Sequence, residues 1–198
     1  MPKSFVDRYQ TGDTPWDTGR PDVNLIKMVK EGPIATGKAL EVGCGYGHNA
    51  LWMARHGFTV TGLDLSGIAV DKATQNASEA TLDCTFLKAD FLTTVVAGGP
   101  FNFAFDRGCF HTSDLPDEAT QFAKRIADHL ETKGLWLTLA GSADDPPRDH
   151  GPPRLSANDI TSTVEPFFEI LSLTSGHFDS IRSQPPRAWI CLMRRRSK

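Results

Sequence analysis

The stretch from Ala39 to Ala50, ALEVGCGYGHNA, decides the fold of this chain. It begins as a short strand of the buried type, Ala39 to Val42, turns through three glycines, and enters a predicted helix from Asn49 to His56. In an open α/β sheet, ligands bind at the carboxyl ends of the strands, and glycines there let a ligand approach the backbone closely. The stretch therefore predicts a ligand site where this first strand ends.

The spacing of the glycines bears on which ligand is bound. Gly43, Gly45 and Gly47 form the pattern G-x-G-x-G, whereas a dinucleotide-binding loop has G-x-G-x-x-G, and His48 stands where that pattern needs glycine. Asp64 ends the second predicted strand, where a carboxylate can accept hydrogen bonds from ribose hydroxyls. S-adenosylmethionine has a ribose and no phosphate. The residues therefore favour it, and they disfavour the alternative of a nicotinamide oxidoreductase.

A second acid follows the third predicted strand. The segment KADF places Asp90 and Phe91 at the same predicted edge of the sheet as Asp64. A carboxylate can accept a hydrogen bond from the exocyclic amine of an adenine, and an aromatic ring can stack on the base. Together with the glycines and Asp64, this pair predicts a site for an adenosine group.

Predicted strands and helices alternate along most of the chain, which indicates an α/β sheet of mostly parallel strands. The last two strand segments, Phe168 to Thr174 and Ala188 to Met193, have no helix between them, so they are expected to pair as a hairpin with an antiparallel final strand. The other predicted strands are Ala39–Val42, Phe58–Asp64, Cys84–Asp90, Phe101–Asp106 and Gly134–Ala140. The predicted helices are Val23–Lys30, Asn49–His56, Gly67 to about Ala80 with Ser66 as N-cap, Pro116 to about His129, and one opened by a capping box at Ser156–Asp159.

Composition narrows the class of protein. The 198 residues are 39% apolar and 23% charged with a formal net charge of −3, which fits one globular domain and offers no basic surface for nucleic acid. No apolar run approaches the length of a membrane span, and the N-terminus lacks the apolar core of a signal peptide. The four cysteines lack metal-site spacing and are expected to be free thiols, with no metal bound. We expect a cytoplasmic protein, monomeric or weakly dimeric, without nucleic-acid or membrane partners.

The run EVGCGYG…GLDLS…KADF, within about Ala39 to Gly141, resembles the class I S-adenosylmethionine-dependent methyltransferases. The loop TPWDTGRP, Thr14 to Pro21, is similar to the N-terminal signature of the halide/thiol and thiopurine S-methyltransferase group. The resemblance implies a single-domain Rossmann-like methyltransferase fold over residues 1–198, with helices on both faces of a mostly parallel sheet and an antiparallel final strand. It also implies that residues 1–21 form an arm or lid over the cofactor, and that residues 22–198 form the core.

The activity that the resemblance implies is methyl transfer from S-adenosylmethionine to a small-molecule acceptor, a thiol or another soft nucleophile, with S-adenosylhomocysteine as product. It makes Trp16 a wall of the cofactor pocket with Tyr9 and Phe5 beside it. An aromatic face attracts the cationic sulfonium, and a closed arm excludes water; the alternative is that Trp16 only packs the arm onto the core. The expected cofactor contacts are Tyr9, Trp16, Gly43, Gly45, Gly47, Asp64, Leu65, Asp90, Phe91, Asp106 and Arg107.

The segment FDRGCFH, Phe105 to His111, corresponds to the part of the family that flanks the cofactor after the fourth strand, where Arg107 would offer backbone contacts. A thiolate acceptor needs little beyond positioning. A hydroxyl or amine acceptor needs a base, for which His111 is the first candidate and His150 the second. Cys109 could line a pocket for a soft substrate, or it could be an inert buried thiol.

The segment DHGPPRL, Asp149 to Leu155, resembles one that borders the substrate pocket in the plant enzymes, with Arg154 in place of an aromatic residue. An anionic acceptor could be attracted by four arginines: Arg20, Arg107, Arg148 and Arg154. Two further hypotheses stay open. One is an oxygen or nitrogen methyltransferase with His111 as base, and the other is a non-catalytic protein that binds a nucleoside.

Overall fold

The computed structural model describes residues 4–112, 116–146, 153–181 and 183–197, and within these ranges one seven-stranded sheet lies between helices. The strands are β1 (Lys38–Val42), β2 (Thr59–Asp64), β3 (Cys84–Lys88), β4 (Phe101–Arg107), β5 (Leu130–Gly141), β6 (Phe168–His177) and β7 (Arg187–Arg195). The α-helices are α1 (Phe5–Thr11), α2 (Val23–Glu31), α3 (His48–Arg55), α4 (Gly67–Glu79), α5 (Pro116–His129) and α6 (Ala157–Val164), and a short 3-10 helix spans Phe110–Thr112.

The strand order across the sheet is β3-β2-β1-β4-β5-β7-β6. Strands β1 to β5 pair in parallel, and β7 runs antiparallel to both of its neighbours, β5 and β6. The predicted α/β fold with an antiparallel final strand is therefore confirmed. Because β7 lies between β5 and β6, the strand β6 points the same way as β1, and the loop after β6 lies at the carboxyl edge of the sheet with the glycine loop.

Apolar residues alternate between the two faces of the sheet, as expected for strands that are covered on both sides. In β1, Leu40 belongs to the core cluster that contains Phe122 of α5 and Ile160 of α6. Its neighbour Ala39 belongs to the opposite cluster, which contains Leu25 of α2. The predicted placement of helices on both faces is confirmed. Among the described helices, none has both the length and the apolar character needed to cross a membrane.

Two elements differ from the predictions. Strand β5 begins at Leu130, directly after α5, and not at the predicted Gly134. Its pairing with β4 shifts register between Phe101 and Phe103, and Lys133 has a positive φ of 66°. The chain can therefore turn within the strand. Helix α1 was not predicted within the N-terminal arm. Its sequence signal is a capping box, in which Ser4 accepts from the Asp7 amide and Asp7 accepts from the Ser4 amide.

The capping box predicted for α6 is present, since Ser156 Oγ accepts from the Asp159 amide at 3.1 Å and Asp159 Oδ2 accepts from the Ser156 amide at 2.8 Å. We expect Ser156→Ala to lower the free energy of unfolding by about 1 kcal/mol, because it removes the acceptor for an amide at the helix start. Urea denaturation measures it, with Ser162→Ala, which changes an exposed serine within α6, as the matched control. Equal losses in the two variants would contradict the capping role.

Candidate active site

The chain turns from β1 into α3 through a loop that only glycine can form. Gly43, Gly45 and Gly47 have φ values of +70°, +53° and +82°, in the left-handed region that other residues rarely adopt. The Gly43 amide donates to the carbonyl oxygen of Leu63 in β2 at 2.8 Å, which ties the loop to the neighbouring strand. A Cβ on Gly43 would lie 2.0 Å from Cys109 Sγ, so glycine is also required for the segment after β4 to approach.

Asp64, at the end of β2, lies against this loop. Its Oδ2 accepts from the Gly45 amide at 3.0 Å, and its Oδ1 accepts from the Ser66 amide at 2.9 Å. Burial raises the pKa of Asp64 above its usual range, and the two amide hydrogen bonds oppose that shift. Leu65, the next residue, is 53% exposed despite its apolar side chain. The structure therefore brings together the glycines, Asp64 and Leu65 that the sequence singled out.

The N-terminal arm covers the glycine loop through Tyr9. The Tyr9 hydroxyl lies 2.9 Å from the position that a Cβ on Gly45 would take, and the Tyr9 ring packs edge-on against Tyr46 with centroids 5.3 Å apart. Trp16 Nε1 donates to the Tyr9 hydroxyl at 3.2 Å. Burial, with a smaller contribution from the Asp64 charge, raises the pKa of Tyr9, so its phenol stays protonated.

Trp16 is half-buried among side chains of the arm itself. Its ring makes edge contacts with Phe5 and Tyr9 at centroid distances of 5.3 and 5.6 Å. The Arg8 guanidinium lies over the indole, 4.8 Å from the ring centroid. One face of the indole thus already carries a cation from the protein.

Arg107 holds the arm through its side chain, a role that the sequence analysis missed. Its Nε donates to Asp22 Oδ2 at 2.6 Å, its Nη1 to the carbonyl oxygen of Trp16 at 3.0 Å, and its Nη2 to the carbonyl oxygen of Asp179 at 2.5 Å. The sequence analysis predicted backbone contacts to the cofactor here, and it counted Arg107 among the arginines that could attract an anionic acceptor. A single arginine after a strand carries no sequence signal for partners 72 to 91 positions away.

The placement of Phe91 corrects the expectation that its ring stacks on an adenine. The ring is 5% exposed and packs against Phe122 and His129 of α5, with centroids 5.1 and 5.6 Å apart. Asp90, directly before it, is exposed, and its Oδ1 accepts from the Leu92 amide at 2.8 Å. The Phe91 side chain therefore belongs to the core, while Asp90 stays available at the carboxyl edge of the sheet.

The Asp106 carboxylate is likewise turned into the protein. It is fully buried, and it accepts from Trp136 Nε1 at 2.9 Å and from the amides of Cys109 and Phe110 at 3.1 and 2.9 Å. Burial raises the pKa of Asp106 to about 6. These bonds make the carboxylate a support for the turn after β4, and the cofactor contact that the sequence analysis expected of Asp106 stays a prediction.

His111 is buried, with an exposed fraction of 4%. The Gly141 amide donates to His111 Nδ1, and the ring lies edge-on to Phe178 at a centroid distance of 5.9 Å. Since Nδ1 accepts a hydrogen bond, the neutral ring carries its proton on Nε2, which makes it a donor and not a base in this arrangement. The second candidate, His150, lies outside the described residues together with Arg148 and Asp149.

Two of the remaining arginines already have partners. Arg20 forms a bidentate ion pair with Asp179 at 2.7 and 3.0 Å, and Arg154 Nη1 donates to the carbonyl oxygens of Asp145 and Pro146. Burial raises the pKa of the Cys109 thiol well above its usual range, which favours the inert thiol over a reactive one. Within the described ranges, no group of three or more His, Cys, Asp or Glu residues is placed to hold a metal ion.

Glu41 is a buried acid that the sequence analysis missed, although an acid inside the apolar strand ALEV was a visible signal. Its Oε1 accepts from Asn49 Nδ2 at 3.0 Å, and Asn49 Oδ1 accepts from the Asp22 amide at 2.8 Å. Its Oε2 is buried without a hydrogen-bond partner in the part of the chain that is described. Burial raises the pKa of Glu41 to about 8, so the side chain is mainly protonated at neutral pH.

Comparison with known proteins agrees with this geometry. Residues 39–134 match a family model described as a methyltransferase domain. The chain is 33% identical over 171 residues to a probable thiol methyltransferase 2 of Arabidopsis thaliana, which covers 83% of this chain and 73% of that protein. It is 28% identical over 159 residues to a 2-heptyl-1-hydroxyquinolin-4(1H)-one methyltransferase of Mycobacteroides abscessus, covering 79% of this chain and 69% of that protein.

A solved structure from work on the conversion of a disulfide bond into a thioacetal group during echinomycin biosynthesis superimposes with a TM-score of 0.81. It is 25% identical, and the match covers 92% of this chain and 84% of that one. The sheet order, the glycine loop and these similarities define a class I S-adenosylmethionine-dependent methyltransferase, and the chain belongs to that family. Within it, the chain is similar to the thiol methyltransferases; its methyl donor is S-adenosylmethionine and its product S-adenosylhomocysteine.

The buried acid Glu41 makes stability depend on pH. Its pKa of about 8 in the folded protein lies above that of the unfolded chain, so the native state holds a proton that the unfolded state releases. The free energy of unfolding should therefore fall as pH rises toward 8, by roughly 1 kcal/mol per pH unit from this group. Glu41→Gln should remove that slope and keep the bond from Asn49.

The measurement is urea denaturation of wild type and Glu41→Gln at a series of pH values between about 5 and 8. Glu31→Gln, which removes an exposed acid on α2, is the matched control and should leave the slope unchanged. If Glu41→Gln and wild type lose stability in parallel as pH rises, then Glu41 is ionised in the folded protein and the assignment is wrong.

Proposed function

We propose that this enzyme methylates a small thiol or another soft nucleophile. The observation that carries the proposal is the arrangement of His111, whose Nδ1 accepts the Gly141 amide, so that the candidate base is held in a donor tautomer. An acceptor that is already an anion at neutral pH, such as a thiolate, needs no base. The similarity to a probable thiol methyltransferase supports the same class of acceptor.

The residues present fit S-adenosylmethionine. The glycine loop offers backbone without side chains, and Asp64 offers a carboxylate beside it, which suits ribose hydroxyls. Asp90 and the exposed Leu65 lie next along the carboxyl edge of the sheet, where an adenine would be held by an acceptor and an apolar contact. When bound, S-adenosylmethionine supplies a methyl group on a sulfonium that a nucleophile can displace.

Residues 4–21 act in this proposal as the arm that closes the site, with the remaining chain as the core of the same domain. Tyr9 already lies against Gly45, and its position is fixed by the bond from Trp16. A closed arm would exclude water from a thiolate nucleophile and hold it in line with the methyl group. The contribution of the protein is therefore positioning and desolvation.

The acceptor is tested by product release. Purified protein is incubated with S-adenosylmethionine and, in turn, sodium hydrosulfide, a small aromatic thiol, thiocyanate, iodide and a hydroxylated quinolone, and S-adenosylhomocysteine is quantified. We expect turnover with the sulfur nucleophiles, with the aromatic thiol and hydrosulfide above the hydroxyl compound. Turnover restricted to the hydroxylated quinolone would contradict the proposal and would support oxygen methylation, in line with the name of the mycobacterial relative.

The role of Asp64 is tested with a ligand pair. We expect Asp64→Ala to weaken binding of S-adenosylhomocysteine by about 1–3 kcal/mol, since hydroxyls of the bound ribose lose a charged acceptor. Calorimetry with S-adenosylhomocysteine and with an analogue that lacks both ribose hydroxyls separates this contact from a change in the shape of the loop. Wild type should prefer the natural ligand, and Asp64→Ala should lose the preference.

Phe91→Leu is the matched control for that experiment, because it changes a residue near the same edge of the sheet whose ring lies in the core. It should lower stability by about 1 kcal/mol while leaving the preference for the ribose hydroxyls intact. A preference that survives in Asp64→Ala would show that the carboxylate shapes the loop without contacting the ribose.

A further inference from the structure

The end of β4 carries an arginine that joins three segments from distant parts of the sequence. The Arg107 guanidinium bonds the carboxylate of Asp22 at the start of α2, the carbonyl oxygen of Trp16 in the arm, and the carbonyl oxygen of Asp179 after β6. The central carbon of the Arg107 guanidinium, Cζ, also lies 5.3 Å from the centroid of the Phe178 ring. A flat guanidinium with five fixed donors can bond three segments at once, whereas a lysine ammonium cannot match that fork.

This junction is buried and charged. The Arg107 side chain is 14% exposed and that of Asp22 is 1% exposed. Asp22 is itself fixed, because its Oδ1 accepts from the Asn24 amide at 2.8 Å as the N-cap of α2. The arginine is thus anchored to the core on one side and holds two carbonyl oxygens on the other.

The two carbonyl oxygens belong to segments that lie far apart in the sequence. Trp16 belongs to the arm, which contacts the glycine loop through Tyr9. Asp179 belongs to the loop between β6 and β7, where Phe178 contacts the His111 ring. A second tie joins the same two segments, since Arg20 of the arm pairs with the Asp179 carboxylate.

We propose that Arg107 is a positioning residue that couples closure of the arm to the position of the loop between β6 and β7. The inference rests on the proposed function, in which the arm covers the cofactor. Through Arg107, a cofactor that holds the arm closed also holds Asp179 and Phe178 in place beside His111. Cofactor binding thereby fixes the segment beside His111 before the acceptor arrives.

The proposed coupling requires the arginine side chain at position 107. Lysine at 107 would keep the charge beside Asp22 but could not bond both carbonyl oxygens in the same geometry. Loss of the arginine alone would leave Asp22 buried without its cation, which costs stability for reasons unrelated to coupling. The variant Arg107→Met with Asp22→Asn removes both charges and keeps an N-cap oxygen on α2.

The experiment is hydrogen exchange of the full chain with and without S-adenosylhomocysteine, together with calorimetric affinity. In wild type, the ligand should slow exchange both in residues 5–16 of the arm and in residues 177–181 after β6. In the double variant and in Arg107→Lys, only the Arg20–Asp179 pair still joins the two segments, so the ligand should slow exchange in residues 177–181 much less than in wild type. Affinity should fall about fivefold or more. Exchange in β1 and β4 should be the same in the variants as in wild type. A general loss of stability would instead speed exchange in these strands.

Arg196→Met is the matched control, because Arg196 Nε also joins two segments, at the carbonyl oxygen of Glu165, away from the site. It should keep the wild-type pattern in both segments. The inference is overturned if the double variant retains the full wild-type protection of residues 177–181 by the ligand, or if Arg107→Lys behaves as wild type. If wild type binds S-adenosylhomocysteine and exchange in the arm is not slowed, the proposal that the arm closes over the cofactor fails. That result is distinguishable from a failure of the coupling alone.

Discussion

The left-handed backbone of the glycine loop is the constraint on which the rest of the site depends. Each glycine marks the place where another segment approaches. A Cβ on Gly43 would meet the Cys109 thiol, one on Gly45 would meet the Tyr9 hydroxyl, and one on Gly47 would meet Ala73 of α4 at 3.1 Å. The segment after β4, the arm and α4 can therefore converge on one turn only because three side chains are missing there.

Buried polar groups then connect this turn to the periphery. Glu41 bonds Asn49, Asn49 bonds the Asp22 amide, and the Asp22 carboxylate bonds Arg107. The buried ion pair of Asp22 and Arg107 contributes little net stability, since desolvation offsets its attraction. What it specifies is geometry, because a misplaced arm would leave Arg107 Nη1 without its bond to the carbonyl oxygen of Trp16. In this account the arm is held at one defined position by polar contacts, and Tyr9, which accepts a hydrogen bond from Trp16, covers the loop.

The sequence was sufficient to predict those parts of the structure that depend on local patterns of residues. Alternation of strands and helices, the glycine spacing and Asp64 at a strand end are all local signals, and the fold they predicted is the one observed. It was insufficient where the direction of a side chain depends on tertiary packing. Phe91 follows β3 and Asp106 lies near the end of β4, both at the correct edge, yet α5 packs on the Phe91 ring and Trp136 donates to the Asp106 carboxylate. The partners of Arg107 could not be predicted, because they come from three distant segments.

The central claim is that the arm and the glycine loop enclose the cofactor between them. A crystal structure of the complex with S-adenosylhomocysteine tests it most directly. The account predicts that the ligand lies between the loop of Gly43 to Gly47 and the arm, with its ribose hydroxyls on Asp64 and the Tyr9 and Trp16 side chains over it. A ligand held at another edge of the sheet, or held at the loop with the arm turned away from it, would contradict the account.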